Sequence, residues 1–407
     1  MAAMRPSHSL IIVTYNSVAQ IDACLTALAG QQQSELVEII VVDNASTDDT
    51  TTLIRTRHPE VRLLREAENW GFAGGVNRGV QAAHGDILAL LNPDAVPQPA
   101  WLHELTAPLS NAAIGVTGGK VLAHDGHIQS VGGTLQLPVV LPQYRGEGEE
   151  DNGQYDAPAD VWSAHGAAMA FRREVWTAVG GFDESFYPAY LEESDFCERV
   201  RIAGYRVVTA PRAVIQHAEA TTTGKGSAQF FFFFLRNRLR YATKWLPWRT
   251  LWHEFRPAEH ARLGTTAVLD RRVARLVYAA GVPAPQPPTD DERAAILAQG
   301  QQLRYHGQPN DELAALLPLL VAAEHESVQH ETQFRSRLPL VAAARTAWNN
   351  IATRWYIRPN LDQQTRYNLA LQRATVQLVQ AMAAQQAASA LDSALLAWRL
   401  TSLEIPS

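Results

Sequence analysis

Cysteine is scarce in this 407-residue sequence, which contains only Cys24 and Cys197. Two thiols can form neither a disulfide framework nor a four-cysteine zinc set, so we expect reduced core thiols in a cytoplasmic protein. No run of eighteen apolar residues occurs, which argues against a membrane-spanning helix. Residues 1–15 continue into a strand pattern and do not form a secretory signal peptide.

The charge balance argues against a nucleic-acid-binding protein, because a chain with a net charge of −6 is not expected to bind nucleic acid as a whole. The apolar fraction of 46% and the charged fraction of 19% predict a packed core instead of general disorder. The stretch 225–275 differs, with eleven Lys or Arg residues against three Asp or Glu. This basic stretch allows peripheral contact with an anionic surface, such as the inner face of a membrane.

Residues 9 to about 245 alternate strand and helix patterns. The predicted strands are Leu10–Val13, Val37–Val42, Val61–Leu64 and Ile87–Leu91. Helices are predicted after the first three strands, the first helix capped by Asn16 and Ser17. Further strands are predicted near Val207 and Val214. This alternation predicts an α/β fold with a mainly parallel sheet and helices on both faces.

Two further regions differ in composition. Residues 118–158 are rich in Gly, Pro and acidic residues and predict a loop-rich insertion with an antiparallel ribbon. After a Pro-rich linker, a smaller all-α domain is predicted, with helices at about 290–304, 310–332, 337–355 and 362–400. The predicted organisation is therefore a main domain at 1–260, a linker at 261–290 and a helical domain at 291–407.

Polar residues follow several of the strands, where an open α/β sheet binds its ligands. Asp94 follows the fourth strand, and a carboxylate there suits a divalent cation held against a diphosphate. Asp43 follows the second strand and would accept a hydrogen bond from a nucleobase imide or a ribose hydroxyl. The glycine-rich segment 69–79 opens a helix whose amides favour a phosphate. Neither G-x-G-x-x-G nor a Walker lysine motif is present.

These motifs resemble the inverting glycosyltransferases of family 2, which have the nucleotide-diphospho-sugar GT-A fold, in their rhamnosyltransferase-like branch. The resemblance covers residues 9 to about 245. It rests on Val13–Asn16, Val42–Asp48, Asn69–Gly74, Leu91–Asp94, Gly180–Glu184, Tyr190–Asp195 with Arg199, and Ala203–Arg206.

The resemblance implies a Mg²⁺ or Mn²⁺ ion, held by Asp94 and by a histidine at the position of His217. A histidine that follows a strand is more often a hydrogen-bonded structural residue than a ligand, but the surrounding motifs make the two roles about equal for His217. The implied donor is a dTDP- or UDP-sugar, with a rhamnose-like sugar as the branch suggests. The implied nucleotide-binding residues are Thr14, Tyr15, Asn16, Asp43, Asn44, Ser46, Asn69, Gly74, Asn77, Asn92 and Arg236.

In the family, the second acid of a Glu-Asp pair is the general base, and Glu192 and Glu193 occupy those positions here. Glu193 is one methylene longer than the usual aspartate, and such a displacement can be costly. Asp195 is the second candidate for the base, although it would equally suit an ion pair with Arg199 at i+4. The departure at Glu193 also leaves open a non-catalytic scaffold that binds sugar nucleotides during glycan assembly.

The acceptor implied by the family is a glycan or a lipid-linked glycan, consistent with polysaccharide or cell-envelope biosynthesis. The aromatic run Phe230–Phe234 predicts core or interdomain packing, with an interfacial membrane anchor as the alternative. The role of the helical tail stays open between homodimerisation, docking of a partner and membrane contact.

Overall fold

A computed structural model describes residues 6–31, 35–218, 226–306 and 358–404. The strands are β1 His8–Thr14, β2 Leu36–Asp43, β3 Arg62–Arg65, β4 Ile87–Leu91, β5 Ala95–Pro97, β6 Ile114–Leu122, β7 Ile128–Ser130, β8 Gly133–Gln136, β9 Leu141–Tyr144, β10 Ala168–Arg172 and β11 Arg206–His217. The helices are α1 Ile21–Ala29, α2 Thr50–Arg57, α3 Gly71–Ala82, α4 Trp101–Thr106, α5 Arg173–Val179, α6 Glu192–Ile202, α7 Ala228–Trp245, α8 Trp248–Thr250, α9 Arg256–Thr265, α10 Val268–Ala279, α11 Asp290–His306 and a C-terminal helix, Arg358–Glu404.

Nine strands form one mixed sheet in the order β3-β2-β1-β4-β10-β6-β11-β5, with β7 paired to β6. Strands β1 to β4 are parallel, β10 is antiparallel to both β4 and β6, and β11 is parallel to β6. The carboxyl ends of β1, β2, β4, β6 and β11 therefore meet at one edge. The predicted α/β architecture is confirmed.

Alternate residues of β1 pack against different helices, as the pleat of a strand requires. Leu10 and Ile12 join a core cluster with α1, α2 and α4. Ile11 joins a second cluster with α3, α5 and α6 on the opposite face. Both faces of the sheet are thus covered, which explains the near-continuous apolar runs of its central strands.

Three local expectations need correction. Helix α1 begins at Ile21, and its N-cap residue is Gln20 without a side-chain cap bond, so the predicted cap at Asn16 and Ser17 is wrong. The region 118–158 contains the predicted antiparallel ribbon, β8–β9, but it begins with the central strand β6. The strands expected near Val207 and Val214 are one strand, β11, with an irregular register between residues 210 and 214.

The helices after the sheet share an apolar cluster. Side chains of α7, α9 and α10 pack in it with Ala387, Leu391 and Leu395 of the C-terminal helix. The predicted helices at 290–304 and 362–400 are confirmed as α11 and the C-terminal helix. Those at 310–332 and 337–355 lie outside the described residues. No helix in the described ranges is long and apolar enough to cross a membrane.

Candidate functional site

The carboxyl edge of the sheet opens into a cavity of about 600 Å³, a size typical of small-molecule sites. Ten of the residues predicted from the sequence line this cavity. They are Thr14, Tyr15, Asn16, Asn44, Asn69, Asn92, Asp94, Glu192, Glu193 and His217. Topology explains their convergence, because each lies at or just beyond a strand end or at the start of a helix on the same edge.

The pairing of β5 with β11 brings Asp94 and His217 together. In that antiparallel pair Ala95 lies opposite His217, and the amide of Ala218 donates to the carbonyl of Asp94 at 3.2 Å. Nε2 of His217 consequently lies 3.2 Å from Oδ1 of Asp94. Both side chains are largely buried, with relative exposures of 5% and 11%.

Gln129 on β7 determines which nitrogen of His217 carries the proton. Its amide nitrogen donates to the carbonyl of His217 at 2.8 Å, which fixes the orientation of the amide because a carbonyl can only accept. Oε1 of Gln129, 3.0 Å from Nδ1 of His217, therefore accepts a hydrogen bond from Nδ1–H. In the neutral ring, Nε2 then presents its lone pair towards Asp94, which is the tautomer that a metal requires.

The Asp94–His217 pair fits an Mg²⁺ or Mn²⁺ site completed by substrate. Two adjacent ligands of an octahedral ion with bonds of about 2.1 Å are about 3 Å apart, close to the observed 3.2 Å. No cluster of three or more His, Cys, Asp or Glu side chains able to hold a metal occurs in the described ranges. Mg²⁺ commonly uses one or two protein ligands together with water and substrate phosphates, so two ligands suffice.

Two buried oxygens lie side by side at the ends of β1 and β2. Thr14 and Asp43 are paired in the register of these strands, and both residues are almost fully buried. Across the described chain, neither Oγ1 of Thr14 nor Oδ1 of Asp43 has a hydrogen-bond partner. Buried polar atoms are normally satisfied, so this pair suits a ligand that supplies a donor. Thr14 lines the cavity, and Asp43, its neighbour in the strand register, is not among the lining residues.

The loop after β1 is held by the loop after β2. The amide of Asn16 donates to Oγ of Ser46 at 2.9 Å, and Oδ1 of Asn16 accepts from the amide of Thr47 at 2.8 Å. Ser46 thus shapes the loop that carries Tyr15 and Asn16, and it does not itself line the cavity.

The glycine-rich segment is fixed mainly by Gly71, which the sequence interpretation did not select. Gly71 has a φ of +69°, and a Cβ there would stand 2.5 Å from the carbonyl oxygen of Pro188. Asn44 donates to the carbonyl of Gly71 at 2.8 Å. Gly74 packs against Trp70 inside α3, and Asn77 binds the backbone of Phe182. Neither Gly74 nor Asn77 lines the cavity.

Glu192 and Glu193 begin α6 at the cavity wall. Burial raises the pKa of both carboxyl groups, and the neighbouring Glu193 charge raises the pKa of Glu192 further. Oε2 of Glu192 is buried and has no hydrogen-bond partner among the described residues. The two carboxyl groups are coupled, so a negative charge on one of them raises the pKa of the other.

Asp195 faces away from the cavity into an ion-pair network. Its carboxylate lies 2.6 Å from Nζ of Lys244 and 2.9 Å from Nε of Arg199. It also accepts a hydrogen bond from the indole of Trp245 at 3.0 Å. The interaction with Arg199 is the i+4 pair that the sequence allowed.

The cationic side chains of the basic stretch are largely engaged in hydrogen bonds and ion pairs inside the protein. Arg236 donates to the carbonyl of Tyr187 at 2.9 Å, and burial lowers its pKa to about 10; it does not line the cavity. Arg238 pairs with Glu259 at 2.7 Å with both side chains buried. Lys244 also binds Asp183 at 2.6 Å. These cations are therefore not available to an anionic surface.

Two groups of residues at the candidate site, one behind His217 and one in the cavity wall, were missed from the sequence. Gln129 gives no motif, because its role depends on the pairing of β7 and β11 with the same strand, β6. Phe230, Phe233 and Phe234 of α7, with Leu297 of α11, line one part of the cavity. The length of the aromatic run was a signal, but it did not distinguish a cavity wall from core packing.

Residues 9–179 match the family model described as Glycosyl transferase family 2. The uncharacterized protein y4gI of Sinorhizobium fredii is 31% identical over 54% of this chain and 25% of its own length. N-acetylglucosaminyl-diphospho-decaprenol L-rhamnosyltransferase of Mycobacterium tuberculosis is 27% identical over 54% of this chain and 78% of its length. The crystal structure of GalNAc-T7 with UDP, GalNAc and Mn²⁺ is 17% identical, with a TM-score of 0.47 over 59% of this chain and 48% of that one.

The match to the glycosyl transferase family 2 model covers less than half of this chain. The match supports a sugar-transfer function for this region. Glu193 and His217 lie beyond the matched residues, and the cavity joins them to the matched part. The chain spans only about a quarter of the length of the Sinorhizobium relative.

Proposed function

We propose that this protein is a metal-dependent, inverting glycosyltransferase. It transfers a hexose, with rhamnose as the first candidate, from a UDP- or dTDP-sugar to a glycan or lipid-linked acceptor. The observation that carries the proposal is a single cavity that collects the strand-end residues, the Asp94–His217 pair and Glu193. These are the parts that binding a nucleotide diphosphate and activating a hydroxyl group require.

The nucleotide binds at the ends of β1 and β2. The unpartnered oxygens of Thr14 and Asp43 accept hydrogen bonds from the base or the ribose, which would satisfy both atoms. Asn44 and Asn69 offer amide groups at the same end of the cavity. Ser46, Gly74, Asn77 and Arg236 act by holding the loops in position.

Asp94 and His217 hold the divalent cation, and Asn92 lies beside them with its amide nitrogen 3.3 Å from Nε2 of His217. When bound, the cation neutralises negative charge on the departing diphosphate. Gln129 keeps the His217 ring in the tautomer and orientation that this role needs.

Glu193 is the general base. It takes the proton of the acceptor hydroxyl while that oxygen forms a bond to the anomeric carbon, and the bond from this carbon to the diphosphate oxygen breaks on the opposite side. Attack from the opposite side inverts the anomeric centre without a covalent enzyme intermediate. A protonated Glu192 beside Glu193 avoids two adjacent negative charges. Asp195 has a structural role in this proposal.

The organisation and location remain proposals as well. We retain the division into residues 1–260, 261–290 and 291–407, a cytoplasmic protein with peripheral contact to the inner membrane face, and a tail that forms a homodimer. The internal ion pairs of Arg238 and Lys244 weaken the case for the basic stretch as the membrane contact.

The proposal is tested by release of UDP or dTDP from a panel of donor sugars with Mn²⁺, Mg²⁺ or EDTA. We expect metal-dependent release that Asp94→Ala abolishes. Asp125→Ala is the matched control, because Asp125 is an exposed carboxylate in the turn before β7. Unchanged turnover in Asp94→Ala would refute the metal role. Tight nucleotide binding without turnover for any donor and acceptor would favour the non-catalytic scaffold.

A further inference from the structure

One part of the cavity is built from helices that follow the sheet. Phe230, Phe233 and Phe234 come from α7, and Leu297 and Gln301 come from α11. All of them lie outside residues 9–179, which match the family model. The sheet and its loops therefore do not close this cavity by themselves.

The rings of this wall form a packed aromatic surface. Phe230 and Phe234 are stacked, with ring centroids 5.7 Å apart and an angle of 5° between the planes. Tyr190 meets Phe230 edge-on at 5.2 Å, just before Glu192 and Glu193. The wall is thus continuous with the segment that carries the proposed base.

A glycine in α11 lets the wall close. A Cβ on residue 300 would overlap Cζ of Phe233 and stand 2.8 Å from its Cε1. Glycine inside a helix is unfavourable relative to alanine, so this position exchanges helix stability for close contact with the ring. The packing of Phe233 against Gly300 sets the shape of the wall.

The chemistry of the wall favours an apolar ligand. The residues that α7 and α11 contribute to it in the described structure are four apolar side chains and two glutamines, Gln229 and Gln301, none of them charged. A sugar ring would bring several hydroxyl groups, and each would need a partner when buried. A hydrocarbon group needs none, and its burial is favourable in proportion to the apolar area covered.

We propose that the α7–α11 wall, formed by Phe230, Phe233, Phe234 and Leu297, binds an apolar hydrocarbon group of the acceptor. This inference rests on the proposed function and narrows the acceptor to an amphiphile, with its reactive hydroxyl at Glu193 and its hydrocarbon part against α11. The region after the sheet thereby contributes to acceptor selection.

The probe is a series of n-alkyl β-D-glucosides, from methyl to octyl, kept below the critical micelle concentration. Their binding to the full chain is measured by calorimetry with Mn²⁺ and UDP present. We expect affinity to rise by about four-fold per methylene group until the wall is covered. Affinity that is independent of chain length in the wild-type protein would overturn the proposal.

Two pairs of variants locate the binding. Leu297→Gln should weaken octyl binding by about ten-fold and leave methyl binding unchanged, whereas Ala298→Gln, at the adjacent exposed position, should leave both unchanged. Gly300→Ala should also weaken octyl binding, because the new methyl group displaces the Phe233 ring. Gly264→Ala is its control, since a Cβ there meets nothing within 4 Å.

An unchanged chain-length dependence in both Leu297→Gln and Gly300→Ala would show that the alkyl group binds elsewhere and would overturn the proposal. Binding of UDP with Mn²⁺ is measured separately for every variant. A wild-type protein that does not bind UDP would count against the proposed function. The alkyl glucoside series would still test whether the α7–α11 wall binds a hydrocarbon group.

Discussion

Gln129 holds His217 through two hydrogen bonds. The amide nitrogen of Gln129 donates to the backbone carbonyl of His217 at 2.8 Å, and its amide oxygen accepts from Nδ1–H of the His217 ring at 3.0 Å. The two residues lie 88 positions apart in the chain. The contact directs Nε2 towards Asp94, so a residue without charge controls the geometry of the proposed metal site.

Replacing Gln129 by methionine should weaken Mn²⁺ binding by about ten-fold or more, because the His217 ring loses the partner that fixes its tautomer. Titration of Mn²⁺ followed by electron paramagnetic resonance measures this directly. Gln143→Met is the control, because Gln143 lies on β9 and donates to Gln136. Equal Mn²⁺ affinity in the two variants would contradict the role of Gln129.

Glu193→Gln should lower kcat by about a hundred-fold or more, since a positioned general base contributes on that scale. Nucleotide affinity should stay unchanged, because the donor end of the cavity lies at the ends of β1 and β2. Single-turnover transfer and calorimetric binding of UDP separate the two effects. A fully active Glu193→Gln variant would remove Glu193 from the mechanism.

The pH dependence of transfer should reflect the raised pKa of Glu193. The base acts only when deprotonated, so kcat/KM should fall as the pH falls through a pKa above the ordinary glutamate value of about 4.3. A pH–rate profile under saturating metal measures this acid limb. An acid limb with a pKa at or below the ordinary glutamate value would mean that burial does not raise the pKa of Glu193.

Asp195→Asn should lower the free energy of unfolding and leave kcat nearly unchanged. The buried carboxylate neutralises Lys244 and Arg199, and leaving such a network uncompensated costs about 3 kcal/mol. Urea unfolding measures the loss, and kcat per folded molecule should change by no more than a few-fold. A stable variant with kcat reduced to the level of Glu193→Gln would identify Asp195 as the base instead.

Glu259 gives a pH-dependent contribution to stability. Interactions with Arg238 and Arg262 lower the pKa of this buried carboxyl to about 2, against the opposing effect of burial. A depressed pKa in the folded state stabilises the protein above the unfolded value, and this stabilisation disappears as the pH falls from about 4.5 towards 2. The difference in unfolding free energy between the wild type and Glu259→Gln should therefore shrink over that range. A difference independent of pH would contradict the assignment.

Some elements could be predicted because their signals are local. The strand Ile87–Leu91 has the bounds expected from its apolar run, and the turn that carries Asp94 follows it directly. Strand β6 was missed because Gly118 and Gly119 interrupt its pattern. A Cβ at Gly118 would stand 2.8 Å from Cβ of Ala164, and one at Gly119 would stand 2.6 Å from the carbonyl oxygen of Ala213. Other segments of the chain approach these glycines closely, and a local sequence pattern does not reveal such contacts.

The sequence by itself determined the alternation of strands and helices, and with it the edge of the sheet at which Asp94, Thr14 and Glu193 lie. These features follow from periodicity and from the rule that the carboxyl ends of parallel strands converge. Only the tertiary structure decided that Asp195 faces Lys244, that Gln129 orients His217 and that α11 closes the cavity. Each of these contacts joins residues far apart in the chain or depends on which face of a helix is covered, so strand register and helix packing decide them.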